Sequence, residues 1–355
     1  MDRIFNWFRQ QLSNPQVVYL ALVLIGIILI VSFAGNMLAP VLAAIVIAYL
    51  LEGAISRLVW LRAPRNVKVT VVFFAFLLFL TAITFGLLPI IYNQLTDVVQ
   101  QLPSIMTKGQ AGLMALPERY PELISIEQVE EIISNLRTQL TGYGQSLVTS
   151  TLSGAASIVS LLIYVILVPI LIFFFLKDKS IILEWLRDLL PRDNELAIKV
   201  WGDVDVQIAN YIRGKFWEIL IVWGVTYAAF AFLGLQFAML LSFLVGISVL
   251  IPFVGAAVVT IPVVVIAWFQ WGWTSEFGTL VITYFVIQAL DGNLLVPLLF
   301  SEVVNIHPVA IIVAVLFFGG LWGVWGIFFA IPLATLVHAI ILAWPKSSKA
   351  EEEAY

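Results

Sequence analysis

The sequence predicts an all-α polytopic integral membrane protein with about eight membrane segments, two of them re-entrant or broken hairpins. Three observations predict it. Hydrophobic residues make up 62% of the 355-residue chain and charged residues 11%, too little polar surface to coat a soluble particle of that size. Apolar runs near the roughly 20 residues that span a bilayer as a helix recur along most of the chain, in place of the short alternating segments of a membrane β-barrel. Two of those runs, 238–269 and 308–344, are too long for one plain crossing: at about 1.5 Å per residue they reach about 48 and about 55 Å, against a hydrocarbon core of about 30 Å.

The same composition removes several function classes. A net charge of −4 offers no basic face to nucleic acid. The absence of cysteine removes disulfides, thiol nucleophiles and thiolate metal sites. His307 and His338 are the only histidines, and no pair stands at metal-ligand spacing. With no metal, no cofactor motif and so few general bases, an enzyme is not expected. No G-x-x-x-x-G-K-[ST] loop occurs, so this chain does not bind ATP in that manner.

Residues 1–92 read as an interfacial amino terminus followed by three spans. Ile4, Phe5, Trp7, Phe8 and Leu12 among Asp2, Arg3 and Arg9 form an apolar face with polar flanks. Val17–Phe33 is the first span, and Gly35, Asn36 and Pro40 turn it into a tight hairpin with the second, Met37–Trp60. Arg57, Arg62, Arg65 and Lys68 lie in a connector without an acidic residue, which is cytoplasmic by the positive-inside rule, as is the amino terminus. Val69–Tyr92 is the third span, with Pro89 kinking its end.

Residues 93–148 form an extracytoplasmic amphipathic helical insertion. Its charges lean acidic through Asp97, Glu118, Glu122, Glu127, Glu130 and Glu131, and Pro117 and Pro121 break it. Ser125 and Gln128 have capping-box spacing, and Val129, Ile132, Ile133, Leu136 and Leu140 continue as one helical stripe, which packs on the protein's own membrane domain or binds a partner. Span four, 149–176, opens with Ser150, Ser153, Gly154, Ala155, Ala156 and Ser157, small residues that permit close helix packing, and contains Pro169. Residues 177–215 form a cytoplasmic helical connector whose Arg213, Gly214 and Lys215 mark re-entry into the membrane.

The segment 216–344 is the transport core, and 345–355 is a disordered tail. After span five, Phe216–Leu235, comes the overlong 238–269, with Pro252 and Gly255 near its middle. A crossing from Gly278 to Phe300 follows, and then the overlong 308–344 with Gly319, Gly320, Gly323 and Gly326. An Ile-Pro pair follows each break, Ile261-Pro262 and Ile331-Pro332, the echo that internal repeats leave in transporters. Two topologies fit: two tilted single crossings, or two hairpins flanking a broken crossing, the first entering from outside and the second from inside. The hairpins are preferred because breakers at membrane depth are tolerated where they line a cavity. Both topologies put the two termini in the cytoplasm.

Tyr211-Ile212-Arg213-Gly214-Lys215, Ile251-Pro252-Phe253-Val254-Gly255, Gln288 through Pro297, His307-Pro308 and Gly326 through Pro332 resemble the signature of the autoinducer-2 exporter family, the PerM-like permeases, over nearly the whole chain. The resemblance implies a multi-pass protein of the bacterial inner (cytoplasmic) membrane, a homo-oligomer in the lipid bilayer, whose cargo is a small solute or ion.

The candidate transport-pathway residues are Gln288, Asp291, Asn293, Glu302 and His307. A carboxylate inside hydrocarbon carries a proton or holds a cation, and amides close by add ligands. The alternative for Asp291 is a helix cap at the interface, and for Glu302 and His307 a surface loop. Pro252, Gly255, Pro297, Gly319 and Gly320 are helix-break and hinge positions. Glu52 and His338 read as interfacial, and Trp268, Trp271 and Trp273 as an aromatic belt. The leading function is a secondary transporter exporting a small polar organic solute, with the signal autoinducer-2 as the family's example. The alternatives are a monovalent cation (sodium)/proton antiporter and a membrane scaffold without transport.

Overall fold

The computed structural model describes residues 15–60, 62–119, 154–188, 195–252, 254–300 and 307–343, together with Ser125, Glu127, Glu131 and Ser134. The described residues hold helices and no strand. Six helices are long and apolar enough to cross a membrane, and two shorter apolar helices, Tyr164–Lys177 and Ala238–Ser248, accompany them. Large side chains such as Phe74, Leu78, Phe85 and Leu316 are exposed, the surface a chain presents to lipid and not to water. The protein is an all-α polytopic membrane protein. The amino-terminal face at 1–14, the stripe at 129–140 and the tail fall outside the described residues.

Helix α1 (Pro15–Arg57) is one helix with Pro40 inside it, so the expected reversal at Gly35–Pro40 does not occur. Proline removes one backbone donor and costs about 3 kcal/mol, but reversing a chain also needs a turn conformation, and among the described residues positive φ occurs at Gly234, Phe237, Gly272 and Gly323 only. Pro15 therefore stands at the far end of the helix from Arg57.

Helix α2 (Arg65–Ala82), a π-turn (Ile83–Leu87) and α3 (Leu88–Arg119) run on without a gap. Span three thus continues through residue 93 and through Pro117, and the helix ends only at Arg119. The π-turn explains how Pro89 is tolerated: Leu88 donates to Ile83 O, one residue further back than in an α-helix, and this extra residue takes up the missing donor and the ring clash ahead of the proline. α3 also serves the core. Gln94 Oε1 accepts from Leu240 N at 2.9 Å, satisfying a donor at the next bundle's helix start.

Helices α4 (Gly154–Lys177) and α5 (Lys179–Asp188) return the chain to the end of the bundle where α2 begins. Glu52 makes a forked ion pair with Arg65 at 3.0 and 3.1 Å and lies 3.5 Å from Lys179, while Arg65 also donates to Leu176 O. The basic connector and the end of span four therefore share one end, as the charge pattern requires. Ala44, Ala48, Val69, Val72, Ile172 and Leu176 close the core between these helices.

Helix α6 (Glu195–Phe232) is the mast on which the rest is assembled; it packs against α1, the first arm of the 238–271 hairpin, the broken crossing at 275–300 and the helix 308–343. It unites the expected cytoplasmic connector and span five in one helix of about 57 Å. Arg213, Gly214 and Lys215 are interior residues of it, within the candidate span Val204–Phe232, and no break in the helix marks them. Gly214 is there for contact, since a Cβ would stand 2.6 Å from the Phe300 ring. Tyr49 on α1 donates to Asp205 of α6 at 2.5 Å.

α6 ends in a Schellman motif. Gly234 adopts φ 75°, Gly234 N donates to Ala231 O and Leu235 N to Phe230 O, while Leu235 is buried as the motif's hydrophobic contact. Helix α7 (Ala238–Ser248) and α8 (Val254–Trp271) follow as a hairpin. Gln270 near its end bonds Gly234 O at 2.8 Å and Gln236 N at 2.7 Å near its start, so the two ends adjoin. The break at 249–253 contains Pro252. A Cβ on Gly255 would overlap the Ser248 carbonyl, so only glycine allows the second arm to approach the first so closely.

Helix α9 (Ser275–Leu290), a second π-turn (Asp291–Leu295) and α10 (Val296–Phe300) form the broken crossing. Helix α11 (Pro308–Ala343) folds back on itself at Gly323, where φ is 59° and ψ −133°. Ala314 and Phe318 of its first arm pack on Ala330, Leu333 and Ala334 of its second. The turn is at Gly323, not at Gly319 or Gly320. Gly319 is a packing glycine, whose Cβ would stand 2.8 Å from Ile327, and Gly320 faces open space. Both overlong segments are thus hairpins. The first hairpin's ends lie beside Ser275 and the second begins beyond Phe300, so they open at opposite ends of the crossing between them.

Candidate functional site

The inner face of α6 carries Tyr211, Lys215, Glu218 and Val222, spaced by 4, 3 and 4 residues as a helical stripe requires. All four are buried. Lys215 Nζ lies 2.7 Å from Glu218 Oε2, with side chains 7% and 2% exposed. Two charges taken out of water cost several kcal/mol each unless paired and further bonded. Here the ammonium also donates to Val249 O at 2.8 Å and sits 5.3 Å from the centre of the Phe300 ring.

The facing stripe comes from the broken crossing. Tyr284, Gln288 and Asp291 recur at helical spacing on α9 and the π-turn, both of which pack on α6. The Tyr284 hydroxyl shares a 2.9 Å hydrogen bond with Thr260 of α8. Oδ1 of Asp291 is enclosed and has no hydrogen-bonding partner among the described residues, and the enclosed Nε2 of Gln288 has only the Tyr284 hydroxyl near it. Asp291 is close enough to attract Lys215 and to repel Glu218. Lys215 is ion-paired with Glu218, and Asp291 stands within electrostatic reach of both on the π-turn that packs on α6; with both carboxylates ionised the cluster holds an excess negative charge. Such a cluster can accept one positive particle at Asp291, and Gln288 adds an amide donor for a polar solute.

The π-turn that begins at Asp291 has the same construction as the one before Pro89. Val296 N donates to Asp291 O five residues back, and Pro297 follows the turn at once. Each π-turn starts six residues before its proline, a spacing visible in the sequence. Asn293 does not join the site. It is exposed, and its Nδ2 donates to Ala289 O at 2.9 Å. His307 is exposed at the start of α11, where Nδ1 accepts from Val309 N at 3.3 Å. Glu302 lies outside the described residues. Pro252 is half-buried in the first hairpin's break, and Pro297 is exposed just after the π-turn.

The sequence reading did not include Lys215, Glu218 or Tyr211 in the site. Their signal was the buried-face spacing with Val222, obscured by the expectation that the helix begins at 216. Beside Lys215, an apolar cleft of about 510 Å³ opens between α1, α2, α6 and the second hairpin, with Leu50, Phe76, Phe79 and Phe328 in its wall. Among the described residues, no three acidic or histidine side chains gather as a metal ion would need.

Residues 18–346 match the family model described as AI-2E family transporter. The chain is 43% identical to PerM of Escherichia coli (strain K12), provisionally named a permease, over 99% of this chain and 100% of that one. It is 27% identical to YueF of Bacillus subtilis (strain 168), provisionally named a transport protein, over 88% and 85%. It is 26% identical to the AI-2 transport protein TqsA of Escherichia coli (strain K12), over 92% and 91%.

Proposed function

The chain belongs to the AI-2E transporter family, and from that premise we propose that it is a secondary transporter exporting a small polar organic solute, autoinducer-2 among the candidates. The observation that carries this is the enclosed, unpartnered Asp291 Oδ1, with the Gln288 amide one turn away and the Lys215–Glu218 ion pair on the facing helix. Polar groups at membrane depth without protein partners are retained where something else passes and bonds to them. The two hairpins on either side give the elements that would close over a bound solute in turn. In this reading the protein is a homo-oligomer in the bacterial inner membrane, with the basic connector and the carboxy terminus in the cytoplasm.

A second reading, sodium/proton antiport, is favoured by the enclosed Asp291 Oδ1, which no cation among the described residues pairs at contact distance while Lys215 is held by Glu218. Proteoliposomes separate the two. Vesicles loaded with autoinducer-2 release it faster than protein-free vesicles in the first reading, and Gln288→Ala slows that release about tenfold, the scale of one lost hydrogen bond to a solute. Asp291→Asn abolishes sodium-driven proton movement in the second. Wild-type vesicles that release the solute no faster than protein-free ones overturn the first.

A further inference from the structure

A buried ammonium has three donors to place, and those of Lys215 serve more than one element. Besides Glu218 on its own helix, it reaches Val249 O, 2.8 Å away. Val249 is the residue that ends α7, so this carbonyl belongs to the last turn, where partners within the helix run out and the helix dipole is negative. The tip of the first hairpin is therefore held to α6 by a positive charge. The same ammonium lies over Phe300, the last described residue of the broken crossing. Asp291 opens that crossing's π-turn, which packs on α6, and its Oδ1 is enclosed without a hydrogen-bonding partner.

We propose that Lys215 is a positioning residue that couples the tip of the first hairpin to the charge at Asp291. With Asp291 ionised and empty, the ammonium is drawn toward the crossing and shared among Asp291, Glu218 and Val249 O. A proton or monovalent cation at Asp291 cancels that pull, and the ammonium falls back on Glu218 and the Val249 carbonyl, tightening the tip. An empty site loosens the hairpin and a loaded one fastens it. This deepens the transport reading by giving the site a way to move its own gate, and it rests on that reading for its purpose; its test measures no transport.

The test is hydrogen–deuterium exchange of the full-length protein in lipid nanodiscs, read at backbone amides 250–256. Asp291→Asn mimics the loaded site and slows exchange there, while amides 263–270 in the same arm are unchanged. Lys215→Met speeds exchange at 250–256 about tenfold, the factor carried by one charge-assisted hydrogen bond. Lys215→Gln keeps a donor for Val249 O without the charge and needs no disruption of the fold. In the Lys215→Gln background, Asp291→Asn has no further effect. A purely structural lysine would not erase the response to a second residue. The proposal is overturned if Asp291→Asn leaves 250–256 unchanged within twofold in the Lys215 background, or if its effect persists with Lys215→Gln. Solute-inert vesicles would remove the transport reading and leave this exchange result standing.

Discussion

The two hairpins have the same construction and are held by different chemistry. In each, a glycine of the second arm lies where a Cβ would overlap a carbonyl of the first: Gly255 on Ser248 O, Gly326 on Phe318 O. In each, a proline follows within about two turns, Pro262 and Pro332. Each is also fastened to α6 through a free carbonyl, by residues one turn apart. Lys215 donates to Val249 O of the first hairpin, and the Tyr211 hydroxyl donates to Phe328 O of the second at 3.0 Å. Phe328 is four residues before Pro332, so the proline removes the donor its carbonyl would otherwise have met. The first latch is a charge and the second a neutral phenol. The first hairpin is also the better buried, with Val245, Val259, Val263, Ile266 and Ala267 in the core beside α6 and α9, whereas Val309, Val313, Leu316, Phe317 and Val324 of the second are exposed. Only the first latch responds to charge in the site; the second holds its hairpin whatever Asp291 carries.

The comparison can be broken at its shared feature. Gly255→Ala and Gly326→Ala each force a methyl onto a backbone carbonyl, which cannot rotate away as a side chain end would. Each is expected to cost about 3 kcal/mol, the upper range for overpacking, seen as a large loss of thermal stability in detergent. The loss at 255 exceeds that at 326, because the exposed hairpin has room to shift. Equal losses would mean the two hairpins are equally constrained.

Smaller substitutions sharpen the difference in latch chemistry. Tyr211→Phe removes one neutral hydrogen bond and leaves Phe328 O unpaired, a cost of about 1 to 2 kcal/mol. It should raise amide exchange near Gly323 and leave 250–256 as in the parent protein. Smallest of all, Gly320→Ala meets open space and changes stability by no more than about 0.5 kcal/mol. A large loss there would mean that Gly320 takes part in the turn that Gly323 makes.

Much of this arrangement was legible in the sequence, for a definite reason. Pro252 and Gly323 announce breaks because their backbone requirements are local, and the lengths of 238–269 and 308–344 are incompatible with one plain crossing. Asp291 and Gln288 stand out in the sequence because an ionisable residue at membrane depth needs a partner, and the fold encloses a polar atom of each. Lys215 and Glu218 were not, because a lysine next to an arginine and a glycine looks like a membrane surface until the helix is seen to continue through it. The reversal at Pro40 was overread for the converse reason: a proline marks a lost donor, and only a positive φ or a break in pairing turns that into a corner. Asn293 shows the limit of composition, since its amide satisfies Ala289 O on the outer face of a turn whose inner face carries Asp291.

The central claim is that 238–271 enters and leaves at one face while the crossing at 275–300 separates the two hairpins. With no native cysteine, single cysteines at Gln236, Ser275 and His307 can be probed with a membrane-impermeant maleimide in intact and in permeabilised cells. Gln236→Cys and Ser275→Cys are expected to label from the same face and His307→Cys from the opposite one. Labelling of 236 and 275 from opposite faces would make 238–271 a single crossing and contradict the account.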